Sequence, residues 1–166
     1  MTDSDLKEKF ISVFEENIGI ILKISRAYTK TTHDREDLIN DIALELWKSY
    51  PNFKGDSKIS TWIYRISLNT SMNYRRKDKS NLLFFSETNQ FDTSTWLQDT
   101  EVNEQVELLY DCIDDLTEFN KAIIILYLDG NSHDEISTIT GISKTNVGTR
   151  ISRIKEQIKK NANSKK

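Results

Sequence analysis

The chain has 166 residues, which is enough for one ordinary domain or two small ones and too few for a large multi-domain enzyme. Its 30% charged and 37% hydrophobic residues are typical of a soluble protein, and 10% aromatic residues argue against disorder. The single cysteine, Cys112, cannot form an internal disulfide. Because no apolar run approaches the ~20 residues of a membrane span and the start does not resemble a signal peptide, we expect a cytoplasmic protein without membrane insertion.

The net charge of −3 conceals an uneven distribution of charge along the chain. Residues 1–77 carry +2, residues 78–118 carry −10 and residues 119–166 carry +5. The last 23 residues, from Lys144, hold eight Lys or Arg and one acid. This asymmetry indicates a basic surface suited to nucleic acid beside an acidic segment, which is either a soluble linker or an internal mimic of DNA.

The hydrophobic spacing is helical throughout and predicts an all-α fold. Helices are expected over about 5–28, 34–50 and 58–76, with Asp34 as the cap of the second. Residues 79–104 are polar and lack a long apolar period, so we predict a linker there.

Helical spacing resumes at Glu101, and an almost entirely apolar helix from Ala122 to Leu128 follows. The sequence therefore predicts two small helical domains, residues 1–78 and 105–162, with a tail of residues 163–166.

The C-terminal segment has the pattern of a helix-turn-helix. Ser132 and Glu135 form a capping-box pair, Gly141 lies in a three-residue turn, and a basic helix follows. In that helix one apolar stripe recurs at spacings of four, three and four (Val147, Ile151, Ile154, Ile158), and hydroxyls and cations face away from it (Thr145, Thr149, Ser152, Arg153, with Arg150 flanking). Such a face suits the major groove of DNA, although a helical hairpin with a solvated basic face has the same pattern.

The predicted helix over 58–76 carries an unusual row beside its apolar stripe. An aromatic ring, two amides and two guanidiniums offer the stacking, base-edge hydrogen bonds and charge that unpaired bases need. The same pattern would arise if Trp62 completed the core and the remaining residues formed a solvated face. The basic run Arg75-Arg76-Lys77 favours nucleic acid. The row consists of Trp62, Arg65, Asn69, Asn73 and Arg76.

Two further patterns carry less information. The polar face of the second helix, formed by Asp37, Asn40, Asp41 and Glu45, is either a docking surface or a solvated face. The pairs His33-Asp34 and His133-Asp134 occur in metal phosphohydrolases, but these enzymes need further ligands and the chain has only two His. Since each pair lies where a helix starts, we expect helix capping and predict no catalytic residue, metal site or cofactor.

Two stretches together resemble the extracytoplasmic-function (ECF) group of bacterial sigma factors. The first, Glu36–Lys77, contains the F-K-G-D-S turn and T-W-I-Y-R-I-S-L-N helix of region 2. The second, Asp114–Ile158, contains the D-G-x-S-x-x-E-I helix and G-I-S turn of region 4. The resemblance implies a factor that directs core RNA polymerase to promoters, with an anti-sigma factor as a further partner. An alternative is a helix-turn-helix regulator that never engages polymerase, which would leave the row with Trp62 unexplained.

The resemblance also implies roles for individual residues. Asp37, Asn40, Asp41 and Glu45 would dock on the polymerase β′ clamp helices, and the row from Trp62 to Arg76 would contact the opened minus-ten strand. Gly148 departs from the longer side chain that many members carry, and the loop from Arg75 to Ser80 matches no fixed pattern, so the minus-ten specificity stays open. The residues predicted to contact the minus-thirty-five element are Lys144, Thr145, Asn146, Thr149, Arg150 and Arg153.

Overall fold

The computed structural model describes residues 2–76 and 103–165 of the chain, and within these ranges every regular element is helical. The first group of helices comprises α1 (Asp3–Glu16), α2 (Ile18–Tyr28), α3 (Thr32–Ser49), a 3-10 turn (Tyr50–Asn52) and α4 (Ile59–Arg76). The second group comprises α5 (Glu104–Asp114), α6 (Glu118–Leu128), α7 (His133–Thr140) and α8 (Lys144–Ser164).

The single helix expected over residues 5–28 is in fact two helices, α1 and α2, which meet at Asn17. The Asn17 side chain donates its Nδ2–H to the Val13 carbonyl at 2.9 Å, and its backbone lies outside the helical region at φ −114° and ψ 15°. An amide that competes for backbone partners in this way ends a helix, which periodicity alone does not reveal. The break lets Phe10 pack its ring 5.2 Å from that of Trp47 on α3.

The cap predicted for the second helix is also wrong. Thr31, rather than Asp34, is the N-cap of α3, because its side chain accepts a hydrogen bond from the Asp34 backbone N–H at 3.0 Å. Asp34 lies in the first turn, where a negative charge is favourable near the helix N-terminus.

The predicted boundaries differ slightly from the observed elements. Asn103 caps α5, which begins at Glu104. Helix α8 continues to Ser164, so the first two residues of the predicted tail are helical. Residues 79–102 of the predicted linker lie outside the described residues. They include Glu101, where helical spacing is expected to resume.

Both groups of helices pack against each other around one apolar core. Helix α2 contacts α5 and α6, and α4 contacts α6 and α7. Tyr28 of α2 is fully buried and donates its hydroxyl hydrogen to the Glu118 carbonyl at 2.6 Å. Lys121 of α6 is only 1% exposed, with its Nζ 3.3 Å from Asp114 Oδ1 and 5.5 Å from the centre of the Tyr28 ring. The helical domains predicted from the sequence therefore share an interface in this structure.

Candidate protein and nucleic-acid interfaces

The acidic face of α3 is less exposed than its sequence pattern suggests. Glu45 is exposed, whereas Asp37, Asn40 and Asp41 are half-buried, and Asn40 Oδ1 is buried without a hydrogen-bond partner among the described residues. Burial raises the pKa of Asp37, with a further increase from Asp34 and an opposing effect of nearby His33. This face thus holds partly desolvated negative charge, which a cationic or hydrogen-bonding partner would stabilise.

A groove of about 320 Å³ separates this face from α4. Its walls include Asp41 and Glu45 from α3 and Asn69, Asn73 and Tyr74 from α4. Burial, together with the negative charges of the α3 acids, raises the pKa of Tyr74 to about 12. The structure thus brings two residues predicted to dock on polymerase and two predicted to contact the minus-ten strand to the same groove.

The described side chains of the row predicted on α4 lie in three different environments. Trp62 is half-buried in an aromatic cluster, with its ring 5.0 Å from that of Phe53 and 6.1 Å from that of Tyr50. Asn69 and Asn73 are exposed in the groove. Arg65 instead donates a hydrogen bond from Nη2 to the Thr138 carbonyl of α7 at 2.7 Å. The side chain of Arg76 is outside the described residues.

The predicted helix-turn-helix is present in α7 and α8. The Ser132 hydroxyl accepts from the Glu135 N–H at 3.1 Å, and the Ser132 N–H donates to Glu135 Oε1 at 3.0 Å, which completes the capping box. The Ser132 N–H, together with the nearby Ser132 hydroxyl, lowers the pKa of the Glu135 carboxyl. Gly141 ends α7 at φ +84°, a left-handed conformation that glycine adopts without strain. Ser143 then caps α8 by accepting from the Asn146 N–H at 3.1 Å.

The first turns of α8 present an open polar surface above a buried stripe. Val147, Ile151 and Ile154 are buried, as their spacing predicts. Five of the six residues predicted to contact the minus-thirty-five element are exposed: Lys144, Thr145, Asn146, Thr149 and Arg153.

Arg150 differs from these five because it is held by the protein. Its Nη1 donates to Asn120 Oδ1 at 3.1 Å, its Nε donates to Asn146 Oδ1 at 3.2 Å, and its guanidinium lies 5.0 Å above the Phe119 ring. Arg has donors only, so Asn146 must turn its oxygen to Arg150 and its NH₂ group away. The sequence analysis missed Asn120 and Phe119, because nothing in a local pattern links α6 to a residue 30 positions later.

The two His-Asp pairs lie in the first turns of α3 and α7, but Thr31 and Ser132 are the caps of these helices, so the capping expected of the pairs is wrong. Among the described residues, no group of three or more His, Cys, Asp or Glu side chains could hold a metal ion. At Gly148, an added Cβ would lie 3.6 Å from the His133 ring, so this ring rests against α8 where a longer side chain would project. No helix in the described ranges is long and apolar enough to span a membrane.

Comparison with known proteins relates both groups of helices to one family. Residues 13–81 match Sigma-70 region 2, and residues 107–158 match Sigma-70, region 4. The chain is 30% identical over 139 residues to an ECF RNA polymerase sigma-E factor of Haemophilus influenzae, covering 76% of this chain and 73% of that protein. It is 28% identical over 137 residues to the ECF RNA polymerase sigma-E factor of Escherichia coli strain K12, covering 75% and 72%.

Two solved structures share the fold across both groups of helices. One is CnrH in complex with the cytosolic domain of CnrY, with a TM-score of 0.67, 17% identity and coverage of 96% of this chain and 91% of that chain. The other is the sigma factor RpoE in complex with the anti-sigma factor NepR from Bartonella quintana, with a TM-score of 0.65, 18% identity and coverage of 95% and 96%. Because both sigma-70 regions and the sigma-E relatives match this chain, it belongs to the extracytoplasmic-function (ECF) group of the sigma-70 family of RNA polymerase sigma factors.

Proposed function

We propose that this sigma factor binds core RNA polymerase through α3, contacts the opened minus-ten strand with α4 and recognises the minus-thirty-five element with α8. The observation that carries the proposal is the exposed polar surface at the start of α8. The opposite face of this helix is buried in the helix-turn-helix, so the polar side chains point to solvent. It acts as a non-catalytic initiation factor in the cytoplasm, with an anti-sigma factor as its regulatory partner.

The polymerase contact would use the half-buried acids of α3. A partly desolvated carboxylate such as Asp37, whose pKa burial raises, gains most from a partner that supplies a cation or hydrogen-bond donors. A helical clamp that carries Arg or Lys has that chemistry. A regulator that binds DNA alone would have no need of this surface, and the acids would disfavour its binding to phosphates.

The minus-ten contact would use the amides that open into the groove beside α4. Asn69 and Asn73 each provide a donor and an acceptor, which is enough to address the edge of one unpaired base. Arg65 would neutralise a neighbouring phosphate. Trp62 packs against Phe53 and Tyr50 and so stabilises the start of α4 against the preceding turn. Because its ring already has these partners, its contribution to base stacking would be secondary.

The minus-thirty-five contact would use the five exposed side chains of α8. Because Arg150 Nε donates to Asn146 Oδ1, the NH₂ group of Asn146 is turned away from Arg150 and is available to DNA. Such a donor suits adenine N7, guanine O6 and N7, thymine O4 or a phosphate oxygen. Lys144 and Arg153 would add contacts to phosphates.

The test is transcription by core polymerase on a library of genomic fragments, with and without the chain, followed by sequencing of RNA 5′ ends. We expect new start sites that share two upstream elements. Asp41→Arg should abolish assembly with core enzyme, since loss of an interface hot spot costs about 2 kcal/mol or more. Asp56→Arg, which reverses an exposed charge away from α3, is the matched control. Unchanged pull-down of core enzyme by Asp41→Arg would contradict the docking assignment.

A further inference from the structure

The start of α8 is tied to α6 through a single arginine. Arg150 of α8 donates from Nη1 to Asn120 Oδ1 of α6 at 3.1 Å, and its guanidinium lies 5.0 Å from the centre of the Phe119 ring. The same side chain donates from Nε to Asn146 Oδ1, one turn earlier on α8, at 3.2 Å. A continuous line of contacts therefore joins two residues of α6 to Asn146, which is exposed on the surface proposed to contact the minus-thirty-five element.

The two amides that Arg150 joins occupy equivalent places in their helices. Asn120 is the third residue of α6, and its backbone N–H donates to the side chain of the capping residue Thr117 at 3.3 Å. Asn146 is the third residue of α8, and its backbone N–H donates to the hydroxyl of the capping residue Ser143 at 3.1 Å. Because each cap fixes the backbone at the start of its helix, the Arg150 guanidinium bridges two side chains whose points of attachment are already set.

The bridge determines which way the two amides point. A guanidinium has donors and no acceptor, so each Asn must turn its oxygen to Arg150 and its NH₂ group away. Arg150, Asn120 and Phe119 are half-buried, which shields these charge-assisted hydrogen bonds from water. Within residues 2–76 and 103–165, the Asn146 side chain has no other hydrogen-bond partner. The orientation of this exposed amide therefore depends on Arg150.

Asn120 is the partner that holds Arg150 on the side of α6. Without its oxygen, the long Arg150 side chain would regain rotamer freedom and would no longer hold Asn146 in one orientation. The last torsion of an Asn side chain is broad and roughly two-fold, so a released amide can present either its oxygen or its NH₂ group to a ligand.

The orientation of an amide decides which bases it can address in the major groove. An NH₂ group donates to the acceptors that adenine, guanine and thymine present there. It has no partner on cytosine, which presents only the N4 donor. An amide that is free to rotate can turn its oxygen to cytosine N4 as well, and so it discriminates less between the bases.

We propose that Asn120, supported by Phe119, is a positioning residue for promoter recognition: it holds Arg150 and thereby keeps the NH₂ group of Asn146 directed at DNA. This inference rests on the proposed minus-thirty-five role of α8. The base preference of the helix-turn-helix is then set partly by α6, which precedes it. Asn120→Leu should reduce the discrimination against cytosine at the base that Asn146 contacts by about fivefold, which is the lower end of the usual cost of one mismatched base pair.

The test measures binding of holoenzyme to duplexes that carry a promoter identified by the transcription experiment, with the minus-thirty-five region randomised and the bound fraction sequenced. Asn120→Leu removes the acceptor at similar size, and Asn120→Ala serves if Leu impairs folding. Asn120→Asp keeps an acceptor for Arg150 and should restore the preference. Tyr127→Phe is the matched control, because it removes a different hydrogen bond between α6 and α8, from Lys155 Nζ to the Tyr127 hydroxyl at 2.7 Å, and should leave the preference unchanged.

A variant of Asn146 tests whether Asn120 acts through it. Asn146→Ala should alter the preference at the same base as Asn120→Leu does, and adding Asn120→Leu to it should change nothing further at that base. A purely structural role of Asn120 would instead weaken binding to all sequences alike and leave the preference unchanged. That result, or a change confined to bases that Asn146→Ala does not affect, would overturn the inference.

Failure of the proposed function would give a different result. If Lys144→Ala, Asn146→Ala and Arg153→Ala all bind every duplex as the unmodified holoenzyme does, α8 does not contact the minus-thirty-five element and the inference fails with it. If Lys144→Ala and Arg153→Ala weaken binding while Asn146→Ala alters no base preference, the role of α8 stands and only the inference fails.

Discussion

Helices α4 and α8 each carry a row of polar side chains predicted to contact DNA, yet their surroundings differ. On α8, five side chains are open to solvent, and the sixth, Arg150, is fixed by Asn120 and Phe119. On α4, Trp62 is packed among aromatic rings and Arg65 is bonded to α7, while Asn69 and Asn73 line a groove shared with the acids of α3. Arg65, Asn69 and Asn73 are nevertheless exposed, so the two rows differ in their neighbours rather than in their access to solvent. The α8 row stands alone on its surface, whereas the α4 row borders α3 and α7.

The largest expected effect that separates the two rows comes from Asn69→Ala. Loss of a base-edge contact costs about 1–3 kcal/mol, so initiation on a duplex promoter should fall by about tenfold or more. A template pre-melted across the minus-ten element should recover part of the loss, because the cost of unpairing is already removed. Transcription by holoenzyme on both templates is the measurement. If Asn69→Ala matches the unmodified protein on duplex DNA, the α4 row is an ordinary solvated face.

The salt dependence of duplex binding distinguishes contacts within the α8 row. Lys144→Ala and Arg153→Ala should each reduce the slope of log K against log salt by about one if each side chain contacts a phosphate. Arg150→Ala should instead lower the free energy of unfolding by about 1–2 kcal/mol, because it removes two hydrogen bonds and a contact with Phe119. Holoenzyme binding at several salt concentrations and denaturant unfolding provide the two readouts. A full unit of slope lost in Arg150→Ala, with stability unchanged, would place Arg150 among the DNA contacts.

The pH dependence of stability probes the desolvated face of α3. Because burial raises the pKa of Asp37 in the folded state, the folded protein binds that proton more readily than the unfolded chain does. Ionised Asp37 therefore reduces stability at neutral pH, and this reduction disappears as the pH falls below the unfolded pKa.

Asp37→Asn should accordingly be more stable than the unmodified chain at pH 7, with the gain shrinking under acid. It loses only a 3.6 Å pair with exposed His33, which contributes little. Thermal unfolding across the acidic range is the measurement, with Glu45→Gln at the exposed end of the same face as the control. A gain that is constant across pH would contradict the assigned cause.

The smallest expected effect comes from Gly148→Ala on α8. A glycine inside a helix is less stable than alanine by about 0.5–1 kcal/mol, and the new Cβ would make an ordinary contact with the His133 ring at 3.6 Å. The variant should be more stable by that amount without loss of duplex binding. Gly141→Ala is the contrasting control and should be less stable, since its φ of +84° is strained for alanine. Lower stability of Gly148→Ala would show that the added methyl group clashes with the His133 ring.

The features that sequence predicted well are those that local chemistry controls. The capping box of Ser132 and Glu135 and the buried stripe from Val147 to Ile154 depend on residues a few positions apart, and the structure confirms them. The break at Asn17 is also local, but it depends on one side-chain amide rather than on periodicity.

The contacts that sequence could not predict join residues far apart in the chain. Tyr28 bonds to Glu118 across 90 positions, and Arg150 is held by Asn120 across 30. A helical wheel shows Arg150 at the margin of the basic face, and only the neighbouring helix decides whether its guanidinium is free. Most of the acidic segment 78–118 lies outside the described residues, so its interpretation as an internal mimic of DNA stays a prediction.

The carboxylate of Glu135 divides its two oxygens between different tasks. Oε1 accepts the Ser132 N–H inside the helix-turn-helix, and Oε2 faces Lys58 of the other group. The cap at the start of α7 therefore depends on hydrogen bonds within the helix-turn-helix, and loss of the Lys58 contact alone would leave both of those hydrogen bonds in place.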